Sequence, residues 1–126
     1  MVTWILWALI LAMLAWMGFN YLRIRRAAKI VDNEEFEALI RTGQLIDLRD
    51  PAEFHRKHII GARNIPSSQL KTSLAALRKD KPVLLYENQR AQRVTNAALY
   101  LKKQGFSEIY ILSYGLDSWK GKVKTS

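Results

Sequence analysis

Pro82-Val83-Leu84-Leu85-Tyr86 is a short apolar run that begins with a proline and lies between two charged residues. Its apolar residues follow one another without alternation, which is typical of a strand buried on both faces of a parallel sheet. Parallel strands are joined by helices that cover the faces of the sheet, so helical patterns are expected on either side of this run. The run therefore predicts the central strand of an α/β domain.

Helical and strand-like segments alternate around this run. Asp32 and Glu35 form a capping-box pair at the start of one helix. A second helix is marked by apolar residues spaced i, i+3, i+4 and i+7: Val94, Ala97, Ala98 and Leu101. Short strands are expected at 44–48 and 108–112, so the order predicts a parallel sheet covered by helices. The tail after Gly121 is polar and is predicted to fray.

An apolar segment of about one membrane thickness precedes this domain. Residues 2–19 contain no charged residue, and as a helix they span roughly 27 Å, close to the thickness of the hydrocarbon core of a bilayer. Trp4 and Trp7 lie near one end of the segment and Trp16 and Tyr21 near the other, which suits the two membrane interfaces. The segment is predicted to be a transmembrane helix, and a buried core helix of a soluble protein is the alternative.

A cluster of basic residues follows the apolar segment and indicates its orientation. The cluster consists of Arg23, Arg25, Arg26 and Lys29. Because positive residues stay on the cytoplasmic side of a membrane, we expect a single-pass protein of the cell membrane, with the N-terminus outside and the domain in the cytoplasm. The cluster also suits the anionic lipid headgroups of the bilayer.

Composition excludes several kinds of chemistry. The chain has no cysteine, so it has no disulfide, no zinc site built on thiolates, no thiol nucleophile and no carrier of persulfide sulfur. The formal net charge is +9, but part of the excess is the cluster beside the apolar segment, and in the rest of the chain acidic and basic residues are interspersed. No basic and aromatic stripe is evident, so nucleic acid is not an expected partner.

The order of motifs resembles that of the rhodanese domain family. Residues 45–54, Leu-Ile-Asp-Leu-Arg-Asp-Pro-Ala-Glu-Phe, and 58–66, His-Ile-Ile-Gly-Ala-Arg-Asn-Ile-Pro, are similar to its first half. Residues 82–86 resemble the strand before the active loop, and 105–119 contain its C-terminal signature. The resemblance covers residues 31–119 and implies a rhodanese-like five-stranded parallel sheet flanked by helices. It also places the active loop at the carboxyl end of a central strand.

In active members of that family a cysteine follows the strand and carries sulfur, whereas this chain has Glu87 at the position. The resemblance implies that the loop is a candidate anion-binding loop, made of Glu87, Asn88, Gln89, Arg90, Ala91, Gln92 and Arg93. Arg93 is six positions after Glu87, the spacing of Cys-x5-Arg phosphatases. Two interpretations stay open: Glu87 fills the pocket itself by pairing with loop N–H groups, Arg90 or Arg93, or the loop binds a small oxyanion such as phosphate.

Other polar residues are expected to be structural. Asp47 and Arg49 resemble an Asp-x-Arg strand end of the family, for which an ion pair inside the domain is expected. His55 and His58 are three positions apart, but no third ligand is evident, so no metal site is predicted. No cofactor is expected either.

These observations divide the chain into four parts. They are an anchor helix at 1–22, a basic juxtamembrane linker at 23–30, a rhodanese-like domain at 31–121 and a polar tail at 122–126. The leading hypothesis is a non-catalytic binding or scaffolding module, held at the membrane for an unknown cytoplasmic protein partner. The alternative is an enzyme that acts on a phosphate or another oxyanion through the loop from Glu87 to Arg93.

Overall fold

The computed structural model describes residues 2–88 and 92–125, with side chains throughout these ranges except at 23–27. The described residues form helices and strands in alternation, with three short 3-10 helices among them. In chain order the elements are α1 (Val2–Ala27), β1 (Lys29–Val31), α2 (Asn33–Ile40), β2 (Gln44–Asp47), α3 (Pro51–Arg56), β3 (Lys57–Ile59), β4 (Arg63–Asn64), 3-10 helices at Ser67–Thr72 and Leu74–Ala76, β5 (Val83–Tyr86), α4 (Gln92–Lys103), β6 (Ile109–Leu112), a 3-10 helix at Leu116–Ser118 and β7 (Val123–Thr125).

Five strands form one sheet in the order β1-β6-β5-β2-β4. Every neighbouring pair in this sheet is parallel. The apolar run quoted above forms β5, which lies in the middle of the sheet with all four residues buried. The predicted fold class, a five-stranded parallel sheet flanked by helices, is therefore confirmed.

Each face of the sheet has its own apolar core. Val83 and Leu85 pack on one face, against a set of residues that includes the apolar stripe of α4. Leu84 and Tyr86 point to the other face, in the cluster that contains Phe36 of α2. Side chains alternate along a strand, so the unbroken apolar run supplies both cores. A fully buried side chain of this kind contributes about 1.5–3 kcal/mol to folding.

A second, two-stranded sheet joins the C-terminus to the domain. β3 and β7 are antiparallel, with Lys57 opposite Thr125 and Ile59 opposite Val123. The N–H of Ile60 donates to the carbonyl of Lys122 at 3.3 Å. The fraying expected after Gly121 is thus wrong for these residues, because the backbone groups of β3 find their partners in β7.

Helix α1 continues almost to the first strand. It ends at Ala27, Ala28 is buried in the core, and β1 begins at Lys29, which is opposite Tyr110 of β6. The span 23–30, expected to be a linker, contains the end of a helix and most of a strand. The segment has no glycine or proline that would end the helix earlier.

The N-terminal part of α1 is a candidate membrane span. Residues Val2–Leu22 are long and apolar enough to cross a membrane, and no residue of the apolar window in this segment is buried. It therefore differs from the core helix of a soluble protein, while a signal sequence would have the same length and composition. Of the basic cluster, the side chains of Arg23, Arg25 and Arg26 lie outside the described residues, and Lys29 is exposed.

Candidate functional site

The candidate site lies where β2 and β5 end. The two strands are adjacent and parallel, and their last residues, Asp47 and Tyr86, are opposite each other. The residues that follow them, Arg49 from one strand and Glu87 from the other, therefore come to the same edge of the sheet. In open α/β sheets this carboxyl edge is the usual place for a binding site.

A buried ion pair closes the end of β2. Nη2 of Arg49 lies 2.8 Å from Oδ2 of Asp47, and Nε lies 3.0 Å from Oδ1. The backbone N–H of Arg49 also donates to Oδ1 at 2.9 Å. Asp47 is fully buried and Arg49 is 4 % exposed. Burial lowers the pKa of Arg49, but the hydrogen bond and the charge of Asp47 raise it above the ordinary value.

Arg49 also connects this pair to two neighbouring segments. Its Nη1 donates to Oδ1 of Asn88 at 3.1 Å, and its Nη2 donates to the carbonyl of Lys57. The Nδ2 of Asn88 in turn donates to Oε2 of Glu53 at 3.1 Å. The guanidinium therefore holds the first loop residue after Glu87 against helix α3 and strand β3.

The hydroxyl of Tyr86 lies in the same buried region. It accepts a hydrogen bond from the N–H of Ile59 at 3.1 Å. Burial raises the pKa of Tyr86, and the nearby Asp47 carboxylate raises it further. The phenol is therefore neutral and ties β3 to the central strand.

The carboxyl group of Glu87 points toward the start of helix α4. Glu87 is 8 % exposed, and its Oε1 lies 3.6 Å from Nε of Arg93. Burial raises the pKa of Glu87, and Arg93 together with a hydrogen bond from the Val94 backbone N–H opposes the increase. Within the described residues, Oε2 is buried without a hydrogen-bond partner. The carboxylate thus occupies part of the place where an anion would meet the helix N-terminus.

The backbone of Glu87 and Asn88 is fixed by the segment that follows β6. Their carbonyls accept the N–H groups of Leu116 at 2.7 Å and Asp117 at 2.9 Å. Gly115 has φ +70°, and a Cβ there would lie 2.4 Å from the Asn88 carbonyl oxygen. Only glycine fits this backbone approach without a shift, so the contact between the two segments depends on glycine at this position.

Two clefts open beside the loop. One has a volume of about 400 Å³ and is lined by Arg49, Glu53, Arg56, Lys57, Asn88, Leu116 and Asp117. The other, of about 260 Å³, is lined by Ser67, Ser68, Leu70, Lys71, Arg93, Asn96, Ala97 and Tyr100. Each cleft thus shares one residue with the predicted loop, and both carry charged side chains at their walls.

The structure brings together some of the predicted residues and not others. Asp47, Arg49, Glu87, Asn88 and Arg93 meet at the carboxyl edge. Gln92 starts α4, and its amide donates to Asn96 at 2.9 Å. Gln89, Arg90 and Ala91 lie outside the described residues, so the pairing of Glu87 with Arg90 stays a prediction.

The two histidines lie in neighbouring elements, His55 in α3 and His58 in β3. The ring of His58 stacks on Phe54 at 3.9 Å, and its Nδ1 lies 2.7 Å from the Phe54 carbonyl oxygen. Within 2–88 and 92–125, no group of three potential metal ligands is present.

Sequence reasoning missed the part that Glu53 plays. Its Oε2 accepts from Asn88 and lies 3.9 Å from Nη1 of Arg49. The i, i+4 spacing of Arg49 and Glu53 was a signal for this contact, although Asp50 and Pro51 point first to a helix start. The contact with Asn88 crosses 35 positions of sequence and could be found only in the folded chain.

Comparisons with known proteins agree with this architecture. Residues 32–122 match the model of the rhodanese-like domain family. An uncharacterized protein of Bacillus subtilis (strain 168), YqhL, is 47 % identical over 113 residues, which cover 90 % of this chain and 89 % of that protein. The thiosulfate sulfurtransferase GlpE of Stutzerimonas stutzeri (strain A1501) is 36 % identical over 95 residues, 73 % of this chain and 84 % of that enzyme.

Solved structures show the same fold. A rhodanese-related protein from Thermoplasma volcanium superposes with a TM-score of 0.70 at 23 % identity, covering 78 % of this chain and 99 % of that one. A full-length protein from Lactobacillus plantarum also gives a TM-score of 0.70, at 24 % identity, covering 91 % of this chain and 98 % of that one.

The environment of Glu87 predicts an unusual titration. We expect its carboxyl group to titrate above the ordinary value of 4.5, because burial disfavours the charged form. The measurement is a ¹³C carboxyl titration of the full chain in detergent micelles. Because the folded pKa lies above the unfolded one, the contribution of protonated Glu87 to stability is present at low pH and is lost as pH rises through the folded pKa.

Two variants identify the cause of this shift. Arg93→Gln removes an opposing positive charge and should raise the titration midpoint of Glu87 further, whereas Arg78→Gln, whose partner is Asp80, should leave it unchanged. A Glu87 midpoint at or below the ordinary value in the unmodified chain would contradict the prediction.

Proposed function

The chain belongs to the rhodanese-like domain family, and on this basis we propose that it is a membrane-anchored member that binds a cytoplasmic protein and carries out no sulfur transfer. One observation carries the proposal. The residue at the end of the central strand is Glu87, and its buried carboxylate faces Arg93 and the first turn of α4. The anion-binding end of this loop is occupied by the chain's own carboxylate.

The activity in the name of the thiosulfate sulfurtransferase relatives is not proposed for this chain. Sulfur transfer in the family needs a thiolate, which is a soft nucleophile and can hold the transferred atom as a persulfide. No cysteine occurs anywhere in these 126 residues. The carboxylate of Glu87 offers hard oxygen atoms instead, so the family's reaction lacks its acceptor atom.

The carboxyl edge is the surface that suits a protein partner. Its larger cleft, about 400 Å³, is polar and is bordered by Leu116 and Asp117. Tyr114, two residues before Leu116, is 72 % exposed. Exposed tyrosines beside a polar rim are enriched at the centres of protein interfaces.

Three observations support anchoring. The segment Val2–Leu22 is apolar, long enough to span and unburied. A cluster of basic residues follows it, which favours a cytoplasmic domain. The match to YqhL covers 90 % of this chain, so it must include part of this helix in addition to the domain.

The absence of cysteine gives a direct test of topology. We expect a single cysteine inserted between Met1 and Val2, ahead of the apolar span, to react with a membrane-impermeant maleimide on intact cells, and one introduced as Ser107→Cys to react only after lysis. Both variants should stay with the membrane during an alkaline wash. The opposite labelling pattern would reverse the proposed topology, and release by the wash would remove the anchor.

The proposal also predicts the outcome of a sulfurtransferase assay. The purified full chain, mixed with thiosulfate and cyanide, should form thiocyanate no faster than the uncatalysed reaction, because no thiolate is present. The Glu87→Gln variant is the matched control and should give the same rate. Turnover well above background that Glu87→Gln abolishes would contradict the proposal.

A second candidate is an enzyme or receptor for small oxyanions. It is favoured by Arg93, whose side chain is 48 % exposed beside the loop. Titration of the full chain with phosphate, sulfate and arsenate separates the two candidates through the amide signals of Glu87 and Val94. Saturable shifts that disappear in Arg93→Ala favour the second candidate, and unchanged signals favour the first.

A protein partner should depend on the carboxyl edge. We expect Tyr114→Ala to reduce recovery of a specific protein from solubilised membranes by about tenfold or more, the effect of losing one interface hot spot. Ile60→Ala removes a comparably apolar side chain that is 52 % exposed and is the control. Equal recovery with both variants would place the partner elsewhere.

A further inference from the structure

A parallel sheet has two unlike edges, and the one opposite the candidate site collects basic loops. We call it the amino edge and define it by the segments 41–43, 78–82 and 102–108, which precede β2, β5 and β6. Hydrogen bonds hold these segments together. The backbone N–H of Gln44 donates to the Pro82 carbonyl at 2.8 Å, and the backbone N–H of Val83 donates to the Glu108 carbonyl at 2.8 Å. The side-chain amide of Gln44 forms two hydrogen bonds with the backbone N–H and carbonyl of Arg78, each at 2.7 Å.

The amino edge is strongly basic. It carries six exposed cations: Arg41, Arg78, Lys79, Lys81, Lys102 and Lys103. The described residues of these segments include two acidic residues, Asp80 and Glu108, and Asp80 is already paired with Arg78 at 2.6 Å. Two carboxylates do not balance six cations, so these described residues carry a net charge of +4.

The opposite edge has the opposite charge. The described segments that follow the strands, at 32–35, 48–53, 65–68, 87–88 and 113–118, contain seven acidic residues. The described basic residues at this edge are Arg49, which is paired inside the domain, and Arg56, Lys57 and Arg93, so acidic residues outnumber basic ones by seven to four. The domain is therefore a charge dipole along the direction of its strands.

Helix dipoles explain only part of this separation. Lys102 and Lys103 lie in the last turn of α4, where cations stabilise any helix. Arg78, Lys79 and Lys81 lie in a loop after the 3-10 helix at Leu74–Ala76, outside any α-helix. The positive charge of this loop therefore calls for another explanation.

The candidate anchor enters the domain at this same edge. Helix α1 ends at Ala27 and contacts α4, Ala28 is buried, and Lys29 opens β1. From Leu22, the end of the apolar span, to Ala27 the helix rises about 8 Å. That distance is about the depth of a lipid headgroup layer and about one Debye length at physiological salt.

We propose that the amino edge lies on the anionic lipid headgroups of the leaflet from which α1 emerges, and that the carboxyl edge faces the aqueous phase. The proposal rests on the anchoring proposed above. The cations attract an anionic surface, and the acidic residues at the far edge are repelled by it. The Glu87 loop is thus presented to water-soluble partners instead of to the lipid.

The test compares two positions in the full chain. A fluorophore is placed on Ser107→Cys, at the amino edge, or on Tyr114→Cys, at the carboxyl edge, using an impermeant maleimide after reconstitution. Energy transfer to an acceptor lipid is then measured in phosphatidylcholine vesicles with and without phosphatidylserine. We expect phosphatidylserine to increase transfer from position 107 and not from position 114, and high salt to reverse the increase.

Charge substitutions distinguish attraction through this surface from attraction through the net charge of the whole chain. Each cation held at an anionic leaflet multiplies the docked population about fivefold. Replacing Lys79, Lys81, Lys102 and Lys103 with Gln should therefore lower that population on the order of a hundredfold or more and abolish the response. Replacing Arg56, Lys120, Lys122 and Lys124 with Gln removes the same charge elsewhere and should preserve it.

The remaining outcomes overturn the inference in distinguishable ways. A chain that floats with neutral vesicles but shows no response to phosphatidylserine at position 107 is anchored without docking. Equal loss in both quadruple variants would indicate general attraction instead of a docking surface. A chain that does not float with neutral vesicles has no anchor, and the inference fails together with the anchoring on which it rests.

Discussion

The buried contact between Asp47 and Arg49 is the constraint from which the site is organised. A guanidinium that is 4 % exposed must be paired, and its fork is satisfied by Asp47, by Asn88 and by the Lys57 carbonyl. These bonds join the end of β2 to β3 and to the first loop residues after β5. The position of Glu87 follows, because its neighbour is held from one side by Arg49 and from the other by the segment after β6.

Glu87 determines the chemistry available at the end of the central strand, whereas the surrounding backbone contacts determine the shape of the site. Gly115 permits the close backbone approach at Asn88, and helix α4 begins at Gln92, so both described ends of the loop are held by the fold. A carboxylate in that place supplies the negative charge itself, at the cost of burying one oxygen that has no hydrogen-bond partner among the described residues. The pKa of Glu87 is raised for the same reason, because the effect of burial is larger than the opposing effect of the positive charge of Arg93.

The parallel sheet places the loops of the domain at two separate ends. All five strands run in one direction, so every loop that precedes a strand lies at one edge and every loop that follows one lies at the other. Helix α1 enters at the first edge and the Glu87 loop leaves at the second. This arrangement turns the candidate site away from the helix that is proposed to hold the chain at the membrane, whichever partner the site binds.

Local patterns were enough to predict the central elements of the domain, because each of these depends on near neighbours. The apolar run at 82–86 became the central strand, and Asp32 caps α2 by accepting the Glu35 N–H at 2.9 Å. The lack of a thiol was also fixed by composition alone. The strand at Val123–Thr125 and the bond between Asn88 and Glu53 were decided only in the folded chain. The basic amino edge was also decided only in the folded chain. Its cations come from three segments that lie tens of residues apart in the sequence. They come together because the strands of the sheet are parallel, so the segments that precede the strands all lie at the same edge.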